Sequence, residues 1–300
     1  MFYKMLFAFA VTWSMTCFAC ESSVSGRLDI QTIDSKIFPY PHVLRVWLPS
    51  EYSKPENKLK KYPVLYLLDG QNLFDKCTSY IGVEWHVDET ISRLIKEGKM
   101  PPVIVVGLDN AGDKRAKEYL PFDDPFNPEG AGTQGKLFPQ FLRHDVMPYI
   151  KAHYRIKMGS ENTAIGGSSY GGIAALNVTI NDPLLASKVL IESPSLQVGN
   201  GAFLRESVNL VHSSPRIYLG VGTNETKRKK INNEMLAGVH VLAENLSSSF
   251  NSPAVQLNIG KGESHNESAW SRRLPQALIF LYGTADGNVK VKTSQKTKGF

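Results

Sequence analysis

The chain has 300 residues, 42% hydrophobic and 21% charged, with a formal net charge of +6. That length and balance suit one large globular unit and exclude a highly charged, apolar-poor disordered chain. The positive excess gathers in Lys227-Arg228-Lys229-Lys230 and in a tail holding Lys290, Lys292, Lys296 and Lys298. No aromatic residues interleave with these charges and no nucleic-acid motif accompanies them, so they read as solvated surface, and no nucleic-acid partner is expected.

In chain order, the first feature is a targeting segment. Met1 to Lys4 is a short start with one cation, followed by an apolar run from Met5 to Phe18. Cys17 and Ala19 stand at the two positions a signal peptidase reads, so residues 1–19 are expected to be a cleaved secretory signal. The run is too short for a stable membrane span. Cys20 directly after Ala19 raises lipid attachment, but Cys17 sits where a lipid-attachment box wants a Leu-like residue. Cys20 and Cys77 remain after cleavage, enough for one disulfide. The expectation is nonetheless that none forms and that the core supplies the stability. No Cys or His cluster has metal-ligand spacing, so no metal is expected.

Strands and helices then alternate. Leu44 to Leu48 alternates apolar and polar residues, while Val64 to Leu68 and Val103 to Val106 are continuous apolar runs, as in strands buried on both faces. Lys188 to Ile191 and Ile217 to Gly220 follow the same pattern, and Val255 to Ile259 alternates, as near a sheet edge. Helical stretches are expected at Trp85 to Lys96, Phe138 to Tyr154, Tyr170 to Ile180, Lys229 to Leu246 and Ser271 to Tyr282. This order implies a parallel, doubly wound α/β sheet with helices on both faces, over residues 20–283, before a basic tail at 284–300. The long segment from Asp109 to Gly135 fits neither period. Since it follows a strand, it should lie over the carboxyl ends of the sheet, where such folds bind ligands.

Gly167-Ser168-Ser169-Tyr170-Gly171 matches G-x-S-x-G, with the apolar lead-in Ala164-Ile165 before it and Ile173-Ala174-Ala175 after it. Small residues two before and two after a nucleophile let strand and helix pass closely at a strained turn. The register selects Ser169, because counting from Ser168 puts Tyr170 where the second glycine belongs. A serine hydroxyl needs a base. His265 is the only His beyond His240, lies in a loop between the last strand and the last helix, and is the candidate. The acid that orients it should follow an intervening strand. Glu225 is the choice, after the Ile217 to Gly220 run. Glu192, one strand earlier, is the alternative, and Glu263 is too close in sequence to reach His265 easily. The Tyr170 N–H and the Gln71 N–H, the latter in the turn Asp69-Gly70-Gln71, are the expected oxyanion donors.

Several stretches together resemble the putative-esterase (esterase D-like) family of the α/β-hydrolase fold, which includes siderophore esterases and feruloyl and acetylxylan esterases. They are Tyr62 to Asp75, Pro102 to Gly107, Glu118 to Pro121, Gly166 to Gly172 and His265 to Trp270. The resemblance implies Ser169 as nucleophile, His265 as base and Gln71 as oxyanion donor. The acid is its least secure transfer, since some siderophore hydrolases of the family work without a well-placed one. Tyr170 stands where Met often follows the nucleophile, and Asp69 where many hydrolases have His. The implied reaction is hydrolysis of a siderophore-type or carbohydrate-linked ester through an acyl-serine, without cofactor. An acyltransferase of the same fold is the alternative. Arg115, Glu118 and Trp270, with Trp85, are the expected substrate contacts. Asn224-Glu225-Thr226 and Asn266-Glu267-Ser268 match the glycan acceptor pattern, yet glycans there would block the site. A bacterial periplasmic or secreted enzyme is therefore expected.

Overall fold

The computed structural model describes residues 20–127, 132–206, 214–249 and 254–283. The expected signal at 1–19, the tail at 284–300 and part of the 109–135 segment lie outside the described residues. Eight strands form one sheet: β1 (Arg27–Ile33), β2 (His42–Leu48), β3 (Val64–Leu68), β4 (Ile104–Leu108), β5 (Thr163–Ser168), β6 (Lys188–Glu192), β7 (Arg216–Gly222) and β8 (Ala254–Gly260). Their order is β1-β2-β4-β3-β5-β6-β7-β8, and every pairing from β4 through β8 is parallel. The two pairings near one edge, β1–β2 and β2–β4, are antiparallel, so β2 alone among these strands is reversed. This is the α/β-hydrolase architecture.

The helices are α1 (Val87–Lys96), α2 (Arg115–Tyr119), α3 (Phe138–Phe141), α4 (Met147–His153), α5 (Tyr170–Asn181), α6 (Ala202–Glu206), α7 (Lys229–Ser247) and α8 (Glu267–Tyr282). The period-2 alternation of β3 divides the core. Val64, Tyr66 and Leu68 join Phe138, Ile150, Ile173 and Leu242 on one face, while Leu65 and Leu67 join Ile91 and Leu278 on the other. Helix α5 is apolar nearly all round because it lies buried against the middle of the sheet. The stretch expected as one helix from Phe138 to Tyr154 is instead two, joined by a π-helical turn at Leu142–Val146. Pro139 and Pro148 fall in the first turns of α3 and α4, where a missing N–H is tolerated.

Cys20 and Cys77 form a disulfide, with Cα atoms 5.7 Å apart. The expectation of free thiols is thus corrected, and a bonded Cys20 has no thiolate left to carry a lipid. The bond anchors an N-terminal arm whose polar groups are also held: Ser22 Oγ donates to Asp75 at 2.7 Å and the Ser25 N–H donates to Asp88 at 2.6 Å.

Candidate active site

The ends of four adjacent parallel strands, β5 to β8, carry Ser169, Glu192, Glu225 and His265 in turn. After β5 the chain turns through Ser169 at φ 55°, ψ −122°, and enters α5 at once. A side chain at positive φ is strained, by about 1–3 kcal/mol. The turn is so tight that a Cβ on Gly167 would lie 2.7 Å from the Gly171 backbone. That close approach is the physical content of the G-x-S-x-G spacing. The Ser169 N–H donates to Glu192 O at 2.9 Å, and its hydroxyl lies 3.3 Å from Ser195 Oγ.

Beyond β7, Glu225 turns back under the His265 loop. Its Oε2 lies 2.7 Å from His265 Nδ1, and the carboxylate is buried. Its Oε1 accepts from Ser193 Oγ at 2.7 Å and from the Gly222 N–H. Burial works against the charge on Glu225. The His265 hydrogen bond and charge, helped by Ser193 and Gly222, outweigh it and hold the carboxyl below its usual range. Glu192, the alternative acid, points elsewhere: both Arg273 Nε and Nη2 donate to its Oε2, at 2.9 and 2.7 Å. Burial raises its pKa to about 7, Arg273 opposing and the nearby Glu225 and Glu263 charges adding. Glu263 pairs with Arg272 and Arg273 rather than with His265.

Ser193 was not legible in the sequence. It sits at φ 44° just after β6, gives its hydroxyl proton to Glu225 and accepts from Trp270 Nε1 at 3.0 Å. Trp270 also packs edge-on against the His265 ring, with centroids 5.2 Å apart. Only the strand register and that backbone angle bring the three together.

On the other side of β5, the turn after β3 carries Gln71. Asp69 is left-handed at φ 59°, and Gly70 crosses the β4 end so closely that a Cβ would meet Gly107 at 2.7 Å. Asp69 accepts from Arg115 Nε and Nη2 at 2.7 and 2.8 Å and from Asn110 Nδ2 at 2.7 Å. The Gln71 side chain accepts from the Asn110 N–H at 3.2 Å. The Tyr170 N–H opens α5, and first-turn N–H groups have no acceptor within their own helix.

The expected substrate contacts fare differently. Arg115 is committed to Asp69 and lies between the Tyr119 and Tyr170 rings, 5.3 Å from each centroid. Glu118 is 1% exposed, and its carboxylate bonds Tyr40 Oη and His42 Nε2 at 3.1 Å. Trp85 and Trp270 are both buried, with centroids 5.5 Å apart. Glu118 and the two indoles therefore support the wall rather than face a substrate. The described part of the 109–135 segment reaches the start of α5, where Tyr170 Oη donates to Asp124 at 2.6 Å.

The sequence matches the family model for putative esterases over residues 35–281. It is 27% identical over 164 residues to the ferri-bacillibactin esterase BesA of Bacillus subtilis, covering 50% of this chain and 53% of that one. It is 26% identical over 243 residues to an endo-1,4-beta-xylanase/feruloyl esterase of Xylanibacter ruminicola, covering 79% of this chain and 29% of that one. The chain thus spans about half or less of these relatives' length. Among solved structures, the BES protein from Bacillus cereus aligns with a TM-score of 0.68 at 19% identity, covering 94% of this chain and all of that one.

Proposed function

The chain belongs to the putative esterase family, and from that premise we propose that it is a serine carboxylic-ester hydrolase working through an acyl-serine intermediate. The observation that carries the reading is the 2.7 Å His265–Glu225 hydrogen bond, set at the strand ends beside a serine at positive φ on a strand-to-helix turn. Glu225 holds the His265 proton on Nδ1, which leaves Nε2 free to accept. Ser169 Oγ attacks the ester carbonyl as Nε2 takes its proton. The Tyr170 and Gln71 N–H groups receive the developing oxyanion, each worth about 10²–10³ in rate. The imidazolium then protonates the departing alcohol, and water, deprotonated by His265, releases the acid. The Ser169 hydroxyl bonds Ser195 in the structure, so its hydrogen bond to His265 is made as substrate seats, when catalytic contacts commonly tighten.

The named activities of the relatives support a siderophore-type or carbohydrate-linked ester as substrate. The disulfide supports export to an oxidising compartment, periplasmic or secreted. The purified protein is expected to hydrolyse p-nitrophenyl acetate or butyrate and to be labelled by a fluorophosphonate. Labelling that persists in Ser169→Ala refutes the assignment. Product analysis with added alcohols shows whether water or an alcohol takes the acyl group. A panel of siderophore, feruloyl and acetyl-sugar esters then ranks substrates.

A further inference from the structure

Outside the catalytic group, Glu84, His86 and Glu89 converge at the start of α1. His86 Nδ1 lies 3.5 Å from Glu89 Oε1 and 3.8 Å from Glu84 Oε1, and one ligand atom from each residue lies within 4.8 Å of the others. A tetrahedral ion with bonds of 2.0–2.1 Å spaces its ligands by about 3.3 Å, so small side-chain shifts close the set.

A second observation points to a ligand. The Glu84 side chain is only 1% exposed, and while its Oε1 accepts from Ser23 Oγ, its Oε2 has no hydrogen-bond partner. Asp88 and Glu89 meet each other instead: burial and the Glu89 carboxylate raise the Asp88 pKa to about 8, so that pair holds a proton between them. Among the described residues, Glu84 and Glu89 form ion pairs with His86 alone. A carboxylate oxygen buried without a donor is unfavourable, and a cation held by Glu84, His86 and Glu89 would relieve it.

We propose that Glu84, His86 and Glu89 bind a divalent transition-metal ion of the Zn²⁺ class. The imidazole nitrogen favours such an ion over Ca²⁺ or Mg²⁺, which take oxygen ligands. Three protein ligands leave one position for water. The role is structural. Ser23 Oγ donates to Glu84, so an ion there ties down the N-terminal arm. Trp85, between two of the ligands, packs on Trp270 behind His265. The sequence did not show the site because its donors are mostly carboxylates rather than a Cys and His cluster.

The test uses tag-free protein stripped with EDTA, titrated with ZnCl₂ by calorimetry and followed by thermal melting, with CaCl₂ as control. One Zn²⁺ per chain is expected, with a Tm rise of roughly 5 °C when free Zn²⁺ is about 100-fold above Kd. His86→Ala and Glu89→Gln change side chains 51% and 39% exposed, so both variants are expected to fold. Each should bind at least about tenfold more weakly. Wild-type protein that neither binds nor stabilises with Zn²⁺ overturns the proposal. So does unchanged affinity in both variants, or an equal response to Ca²⁺.

Discussion

Replacing Glu225 by Gln isolates the orienting function of the carboxylate from its bulk. The side chain has two sets of partners. Oε1 accepts from the Gly222 backbone N–H and from Ser193, while Oε2 faces His265 Nδ1. The Gly222 N–H cannot turn away, so the amide oxygen of Gln must take the Oε1 position. The amide NH₂ is then forced toward His265 Nδ1, which must give up its proton. The proton moves to Nε2, the atom that has to accept from Ser169. In a Ser-His-acid triad this inverted tautomer lowers kcat about 10⁴-fold, or about 5.5 kcal/mol of barrier. Stability should fall by only about 2 kcal/mol, since one charge-assisted hydrogen bond is lost and two acceptor contacts survive. The assay is kcat and KM on a p-nitrophenyl ester, with circular dichroism to confirm the fold. Activity within tenfold of wild type would refute the argument, and full loss in Glu192→Gln instead would place the acid one strand earlier.

Ser193→Ala removes the hydroxyl between Glu225 and Trp270, and kcat should fall about 10- to 100-fold with little change in KM. Ser193→Gly relieves the positive φ but also lacks the hydroxyl, so it should match alanine in kcat while melting higher; equal activity to wild type in either would remove Ser193 from the positioning of Glu225. Reduction of Cys20–Cys77, which spans 57 residues, should destabilise the protein by up to about 4 kcal/mol on a chain-entropy argument; two free thiols in unreduced, exported protein would contradict the bond. Glu192 gives a pH signature. Its folded pKa is raised from 4.5 to about 7, so the folded state holds a proton the unfolded state has lost, and the contribution to stability declines as pH rises through that window. Denaturant melts from pH 4.5 to 7 should show a steeper decline in wild type than in Glu192→Gln, where the raised Asp88 still contributes, and parallel curves would refute it.

The interior of the sheet was the most legible part of the chain. Val64 to Leu68 could be read to the residue because a strand buried on both faces is a continuous apolar run. The edge strand β1, Arg-Leu-Asp-Ile-Gln-Thr-Ile, was not read, since a half-exposed edge carries charges that resemble a loop. Ser169, His265 and Glu225 could be singled out because spacing and chain order report strand ends. Their supports could not. Asp69 and Arg115 pair across 46 residues, and Ser193 meets Glu225 across 32. Such contacts depend on which strands are neighbours, and that is a property of the sheet order. The same blindness explains Glu118 and Trp270: a polar or aromatic residue near a site has no sequence mark saying whether it faces the substrate or props the wall.

The positive φ at Ser169 has a consequence for how this chain holds its sequence. Glycine would adopt that angle freely, so if Ser169 is the nucleophile as proposed, the requirement to fold and the requirement to react pull in opposite directions there. A copy released from selection for reaction would gain stability by losing the side chain, and the exchange would be a single step. On the proposed reading, a hydroxyl at this strained point of the backbone is upkeep, worth its cost only while the reaction is in use.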